Sequence, residues 1–210
     1  MALDKQRIVT EAVALLDAEG LDGVTTRKLA ARLGVQSPTL YWHIPNKAAL
    51  VTAIAEAILE QQFPELASPA PEERWQDWLI GLAEWLRRAL LAHPDGARII
   101  AASQLSLKMA AISELAMSTL VGRGIPLRQA RLIVLTVLRF TVGYVLEEQL
   151  GRPDADALEG FDMAAYAAAY PTVMAGVAEY FQPGRTVDDL FRECLELVVE
   201  GAAAQSGATS

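Results

Sequence analysis

The chain has 210 residues, 52% of them apolar, which supplies a substantial core and excludes an intrinsically disordered protein. Its only cysteine, Cys194, excludes an intrachain disulfide. With His43 and His93 the only histidines and far apart, no Cys/His metal cluster can be drawn, so no metal site and no cofactor are expected.

The residues 4–19 place Ile8, Ala12, Leu15 and Leu16 at the period of an amphipathic helix, with Gly20 as its stop. A second helix starts near Thr25 or Thr26, whose hydroxyls can accept backbone N–H bonds. Ala30 lies four residues before Gly34; the small side chain lets two helices cross closely, and the glycine takes a left-handed turn without steric cost. Ser37 is expected to cap a third helix with Pro38 at its first position, where a missing N–H costs nothing. Leu29, Leu33, Val35 and Leu40 would form the small core beneath. Asn46 caps a fourth helix running to about Gln62, and the proline-rich stretch 63–71 breaks it. Helices follow at about 72–92, 96–122 with a break near 102–107, 127–150, 163–181 with a break at Pro171, and 187–204. No alternating strand pattern competes, so the fold class is all-α. Residues 151–162, rich in glycine, proline and aspartate, read as a mobile loop. The expected divisions are a helix-turn-helix head over 1–46, a connecting helix over 47–66, a regulatory domain over 67–204 and a disordered tail over 205–210.

The stretch TTRKLAARLGVQSPTLYWH, ending at His43, therefore reads as a helix-turn-helix built to enter a DNA groove. The net charge of −8 opposes this, because DNA affinity is largely phosphate neutralisation. Its distribution resolves the conflict: up to Leu50 six basic residues meet five acidic ones, and beyond it twelve meet twenty-one. A nearly neutral head, whose cations can share one face, is joined to an acidic body. Thr39, Tyr41, Trp42 and His43 crowd the third helix opposite Leu40. Threonine can touch a base edge or a thymine methyl, tyrosine and histidine can bond phosphates, and tryptophan can pack on sugars. Arg27 and Lys28 on one side and Lys47 on the other would neutralise the DNA backbone. The competing reading is that Tyr41 and Trp42 merely pack beneath the fourth helix. No leader segment opens the chain, and the most apolar stretch carries Arg131 and Arg139, so a cytoplasmic protein with no membrane partner is expected.

The segments VTTRKLA, LGVQSPTLYWH and NKAAL resemble the DNA-binding domain of the TetR family of transcriptional regulators. WQDWL from Trp75, ALLAHPDGA from Ala89 and FTVGYVLEEQ from Phe140 resemble that family's regulatory core in compatible order, so the likeness covers nearly the whole chain. The resemblance implies an all-helical homodimer whose heads bind a palindromic operator and whose larger domain binds a small-molecule inducer. By motif position, Thr26, Arg27, Pro38, Thr39, Tyr41, Trp42, His43 and Lys47 would touch operator DNA. Ser37 departs from a glutamine and Gln36 from an acidic residue. Both stand where base edges are read, so a different operator sequence is expected.

Members of the family that take a magnesium–tetracycline chelate rely on two histidines and an asparagine. The register set by the flanking motifs puts Phe63, Ile100 and Leu82 there, so that chelate is not expected to be the inducer. Glu147, within VLEEQ, matches a carboxylate that the resemblance brings to a metal-bound water from the partner subunit; alone it makes a poor magnesium site, and it also reads as a solvated acid. The remaining lining is Leu86, Leu105, Met109 and Ala116, with Ser103 and Gln104 as polar anchors, which suits a small apolar or aromatic inducer. A ligand-free core is the alternative. Apolar residues nearly encircle 127–150 and enrich 187–204, as a four-helix dimer interface requires. Catalysis is not expected: adjacent Glu147 and Glu148 point about 100° apart on a helix and no nucleophile accompanies them. An interaction protein with a vestigial head, or a transcriptional activator, stays open beside a repressor.

Overall fold

A computed structural model describes residues 3–63, 66–103, 105–151 and 159–207, among which eleven helices and no strand occur. The amino-terminal head is α1 (Lys5–Gly23), α2 (Thr26–Leu33) and α3 (Ser37–Tyr41). The Asp4 carboxylate accepts the Arg7 N–H at 2.8 Å, and α1 buries Ile8, Ala12, Leu15 and Leu16. The expected stop at Gly20 is a kink, with φ 69°, after which a short turn continues to Gly23. Thr25 caps α2 by accepting the Lys28 N–H at 3.2 Å. Gly34 closes α2 in the left-handed conformation, φ 70° and ψ 30°, and Val35 N–H returns to the Ala30 carbonyl. That bond is the tight crossing for which a small residue at Ala30 is suited. The cap of α3 is Gln36, not Ser37. The Gln36 carbonyl accepts the Thr39 N–H at 2.9 Å, so the helix opens one residue earlier than a Ser37 cap requires, and Pro38 falls within its first turn.

The connecting helix α4 (Lys47–Gln62) is capped by Asn46, whose side chain accepts the Ala49 N–H. It packs on α1 on one side and on α5 (Trp75–Leu91), α6 (Gly96–Ala102) and α7 (Leu107–Gly122) on the other. α5 starts three residues later than expected because the chain turns at 71–73, where the Glu73 carboxylate accepts the Ala70 N–H. α8 (Leu127–Leu150) and α11 (Val187–Gly207) complete the body, and α5, α8 and α11 pack mutually. α11 runs past the expected end at Ala204 into the segment expected to be a tail. Most of the expected 151–162 loop lies outside the described residues. By length and composition α8 could cross a bilayer, but it packs against α5, α6, α7 and α11. α9 (Met163–Ala169) and α10 (Pro171–Tyr180) pack on each other and bury no residue in the single chain.

One buried cation ties the body together. Arg87 on α5 makes a two-pronged ion pair with Glu148 on α8, at 2.7 and 2.6 Å, and bonds Asp188 on α11 at 2.8 Å. Its guanidinium also lies 5.1 Å from the Phe191 ring. The Glu148 hydrogen bonds outweigh desolvation and hold Arg87 above its ordinary pKa; burial, then the Glu148 charge, push the nearby Tyr144 phenol up to about 12. Across the α5–α6 turn, a β-carbon at Gly96 would sit 2.1 Å from the Leu90 carbonyl oxygen. Gly96→Ala is therefore expected to lower unfolding stability by about 1–3 kcal/mol, as overpacking does, measured by urea denaturation.

Candidate DNA-binding surface and ligand cavity

The head holds its polar face outward by burying Leu29, Leu33, Leu40 and Ile44 behind it. On that face Arg27, Gln36, Pro38, Thr39, Tyr41 and Lys47 are exposed, and Thr26, Ser37 and His43 are half-buried. Trp42 is 88% exposed, so it does not pack beneath α4. A large aromatic costs free energy in water, and one left this bare on a turn of polar residues marks a contact surface. Lys28 is engaged by Glu19, which lowers the Glu19 pKa chiefly through that hydrogen bond, and so stands apart from Arg27 and Lys47, which are exposed.

A polar seam fastens the head to the body. His93 Nδ1 lies 2.6 Å from Asp17 Oδ1. Asp95 accepts the Leu21 N–H at 2.8 Å and binds Arg98 at 2.9 Å; Arg98 in turn reaches Asp22 at 3.3 Å. Asp95 has φ 57°, which aims its carboxylate at the end of α1. On the body side, Gln149 of α8 staples the same turn, accepting from Ala97 N–H and donating to the Leu90 and His93 carbonyls. Every link is between residues more than fifty positions apart except Asp95 with Arg98.

Between Phe63, residues 66–68, α5 and α7 lies a cavity of about 360 Å³, walled by Phe63, Trp78, Leu82, Trp85 and Leu115, with Glu73 and Asp77 also on its lining. Of the residues expected from the sequence it unites Phe63 and Leu82. Leu86, Ile100 and Ala116 are instead closed into the core, and Met109 packs half-buried against it. Ser103 turns its hydroxyl back to the Ile100 carbonyl at 2.8 Å. Leu105 is 96% exposed and Glu147 is exposed on α8, so neither lines the cavity in the single chain. Gln104 lies outside the described residues. A larger groove between α1 and α4 is edged by Lys5, Glu56, Glu60 and Gln61 and gathers none of the expected ligand residues. Trp78, Trp85, Glu73 and Asp77 were missed by sequence reasoning, although Trp78, Gly81, Leu82 and Trp85 follow the i, i+3, i+4, i+7 spacing of one helix face.

A glycine-turned pair of helices with an outward polar-aromatic turn, latched to a larger helical domain with its own cavity, defines a helix-turn-helix DNA-binding regulator. The family model "Bacterial regulatory proteins, tetR family" matches residues 8–54, and "Tetracyclin repressor-like, C-terminal domain" matches residues 68–206. The tetracycline repressor protein class A from transposon 1721 of Escherichia coli is 38% identical over 96% of this chain and 91% of its own. A crystal structure of a variant of the Acinetobacter baumannii TetR protein in complex with minocycline is 32% identical, covers 98% of this chain and 99% of that one, and superposes with a TM-score of 0.72. The structure of BioQ with its double-stranded DNA operator is 26% identical over 97% of this chain and 99% of that one, also with a TM-score of 0.72. The chain belongs to the TetR family of DNA-binding transcriptional regulators.

The seam sets a measurable dependence. The Leu21 N–H first, and Arg98 after it, hold the Asp95 carboxyl below its ordinary range. A depressed carboxylate stabilises the fold fully above its unfolded-state pKa and loses that contribution as pH falls through the lower native value. Asp95→Ala is expected to cost about 1–2 kcal/mol at neutral pH, the scale of lost charge-assisted hydrogen bonds, with the difference shrinking below about pH 4. Thermal melts of both proteins across pH 3 to 7 check it, and hydrogen exchange at 17–24 should accelerate in the variant.

Proposed function

We propose that this chain is an inducer-released transcriptional repressor, acting as a homodimer on a palindromic operator. The observation that carries the reading is the bare Trp42 turn, held outward by the buried Leu40 and flanked by Arg27 and Lys47. Such a turn gives base-edge and sugar contacts, while the flanking cations give the salt-dependent phosphate term. Dimerisation is supported by apolar surface that the single chain leaves in water, including Leu132 on α8 and Leu197, 78% exposed, on α11. Two heads are needed to span half-sites separated by about one helical turn, ~34 Å, or a multiple of it. Gln36 and Ser37 then select an operator of this regulator's own.

The experiment is titration of the protein with DNA from upstream of its own coding region across a range of salt. Tight binding that weakens steeply with salt is expected, and Lys47→Ala should reduce the slope of log affinity against log salt by about 1. Absence of binding even at low salt overturns the repressor reading and favours a vestigial head.

For the inducer we propose a small molecule with an aromatic or apolar body, and not magnesium–tetracycline. Phe63, Leu82 and Ile100, at the positions where the resemblance places the chelate's partners, are buried hydrocarbons with no lone pair for a metal. Fluorescence titration with tetracycline is expected to give weak binding that magnesium does not strengthen. Nanomolar, magnesium-dependent affinity refutes this.

A further inference from the structure

We propose that the α5 cavity takes a lipophilic organic cation: an apolar, largely aromatic body carrying one positive charge. The inference rests on reading this cavity as the inducer site and adds the sign of the ligand's charge. Among the described residues the lining contains two carboxylates, Glu73 and Asp77, and no lysine, arginine or histidine. Nearby cations are already committed. Arg74 lies 3.6 Å from Asp77 but is shared with Glu200, and Arg123 spends its guanidinium on the Ala70 and Pro71 carbonyls. Arg88 lies against the Trp85 ring, so three carboxylates and three guanidiniums stand around the cavity, but among the described residues the lining itself carries only negative charge.

The rings point the same way. Phe63 and Trp85 sit 5.9 Å apart, tilted by 54°, and Trp78 completes the aromatic wall. The Trp78 N–H is donated to the Ala67 carbonyl at 3.3 Å, so the indole donor an anion would need is spent and the ring offers its face. Ring faces are negative and attract cations; Trp85 already has the Arg88 guanidinium 5.9 Å from its centroid. Both carboxylates are largely exposed, so a charge beside them keeps part of its hydration while the rings cover the apolar body. An anion of the same shape meets two carboxylates and no cation among the described lining residues. Gly81, on the same face of α5, leaves the room: a β-carbon there would meet nothing within 4 Å. A glycine inside a helix costs stability relative to alanine, and here it keeps the wall open.

The test uses three probes of similar bulk on the full-length protein: tetraphenylphosphonium, tetraphenylborate and neutral triphenylphosphine oxide, followed by tryptophan fluorescence and calorimetry. Gly81→Leu, which fills the cavity without straining the backbone, supplies the background. The cation is expected to bind at least about tenfold more tightly than either other probe, ~1.4 kcal/mol. Glu73→Gln with Asp77→Asn should erase that preference while leaving the neutral probe's affinity unchanged. Equal or tighter binding of the anion, or a preference that survives the double substitution, overturns the proposal. Cation and neutral probe binding equally, both lost in Gly81→Leu, overturns the charge assignment alone. If none of the three is sensitive to Gly81→Leu, the cation proposal falls together with the reading of this cavity as the ligand site, while operator binding, measured separately, stands.

Discussion

The body depends on the need to pair one buried guanidinium. Arg87 sits with its side chain about one-tenth exposed, where an unpaired charge would be prohibitive, and the observed arrangement of α5, α8 and α11 satisfies it. Glu148 must lie opposite with both oxygens, and Asp188 and the Phe191 ring must close from the third helix. Such a pair adds little net stability over an apolar replacement, but a slip of one helix along another would strand its charge. α5 is thereby fixed in register, and α5 carries both the cavity face at Trp78–Trp85 and, at its end, the Leu90 carbonyl bonded by Gln149. The apolar surface left on α8 and α11 is presented by the same three-helix arrangement.

Local chemistry was legible in the sequence because its causes are local. Gly34, Thr25, Asn46 and Pro171 mark boundaries through conformations and caps that involve residues within four positions, and the helices they delimit stand where the spacing puts them. Errors fell where a local rule had two solutions. Ser37 and Gln36 can each open a helix ahead of Pro38, and the Gln36 carbonyl decides it by receiving the Thr39 N–H. The outward turn of α3 was legible too, since burying Leu40 leaves Tyr41 and Trp42 facing solvent.

The cavity lining was harder to read because an apolar list does not say which members face a void. Leu82, Leu86 and Ile100 satisfy the same patterns and are all buried, yet of the three only Leu82 lines the cavity. What separates them is the companion set: Trp78, Gly81 and Trp85 share the Leu82 face, and a glycine among large rings signals an opening. The seam and the Arg87 pair were not legible at all. They join Asp17 to His93, Leu21 to Asp95 and Arg87 to Glu148, separations of 76, 74 and 61 positions, which no periodicity encodes.

These elements set the terms on which a ligand can act on DNA. A molecule in the cavity changes head position only through a difference in its affinity for two arrangements of the protein, and tight binding alone shifts nothing. The apolar contact between α4 and α1 is continuous with the core. Beside it the seam adds discrete polar links: Asp95 to Leu21, His93 to Asp17, Arg98 to Asp22. Gln149 holds the seam's body side to α8, while α4 joins α1 to the helices that wall the cavity. If the cavity takes the ligand as proposed, displacement of α5 or α7 by an occupant has two routes to the head, one through the packed α4 and one through the polar links of the Asp95 turn. Coupling of the usual size, about 1–3 kcal/mol, equals the loss of one or two of these polar links, so the seam is large enough to carry it.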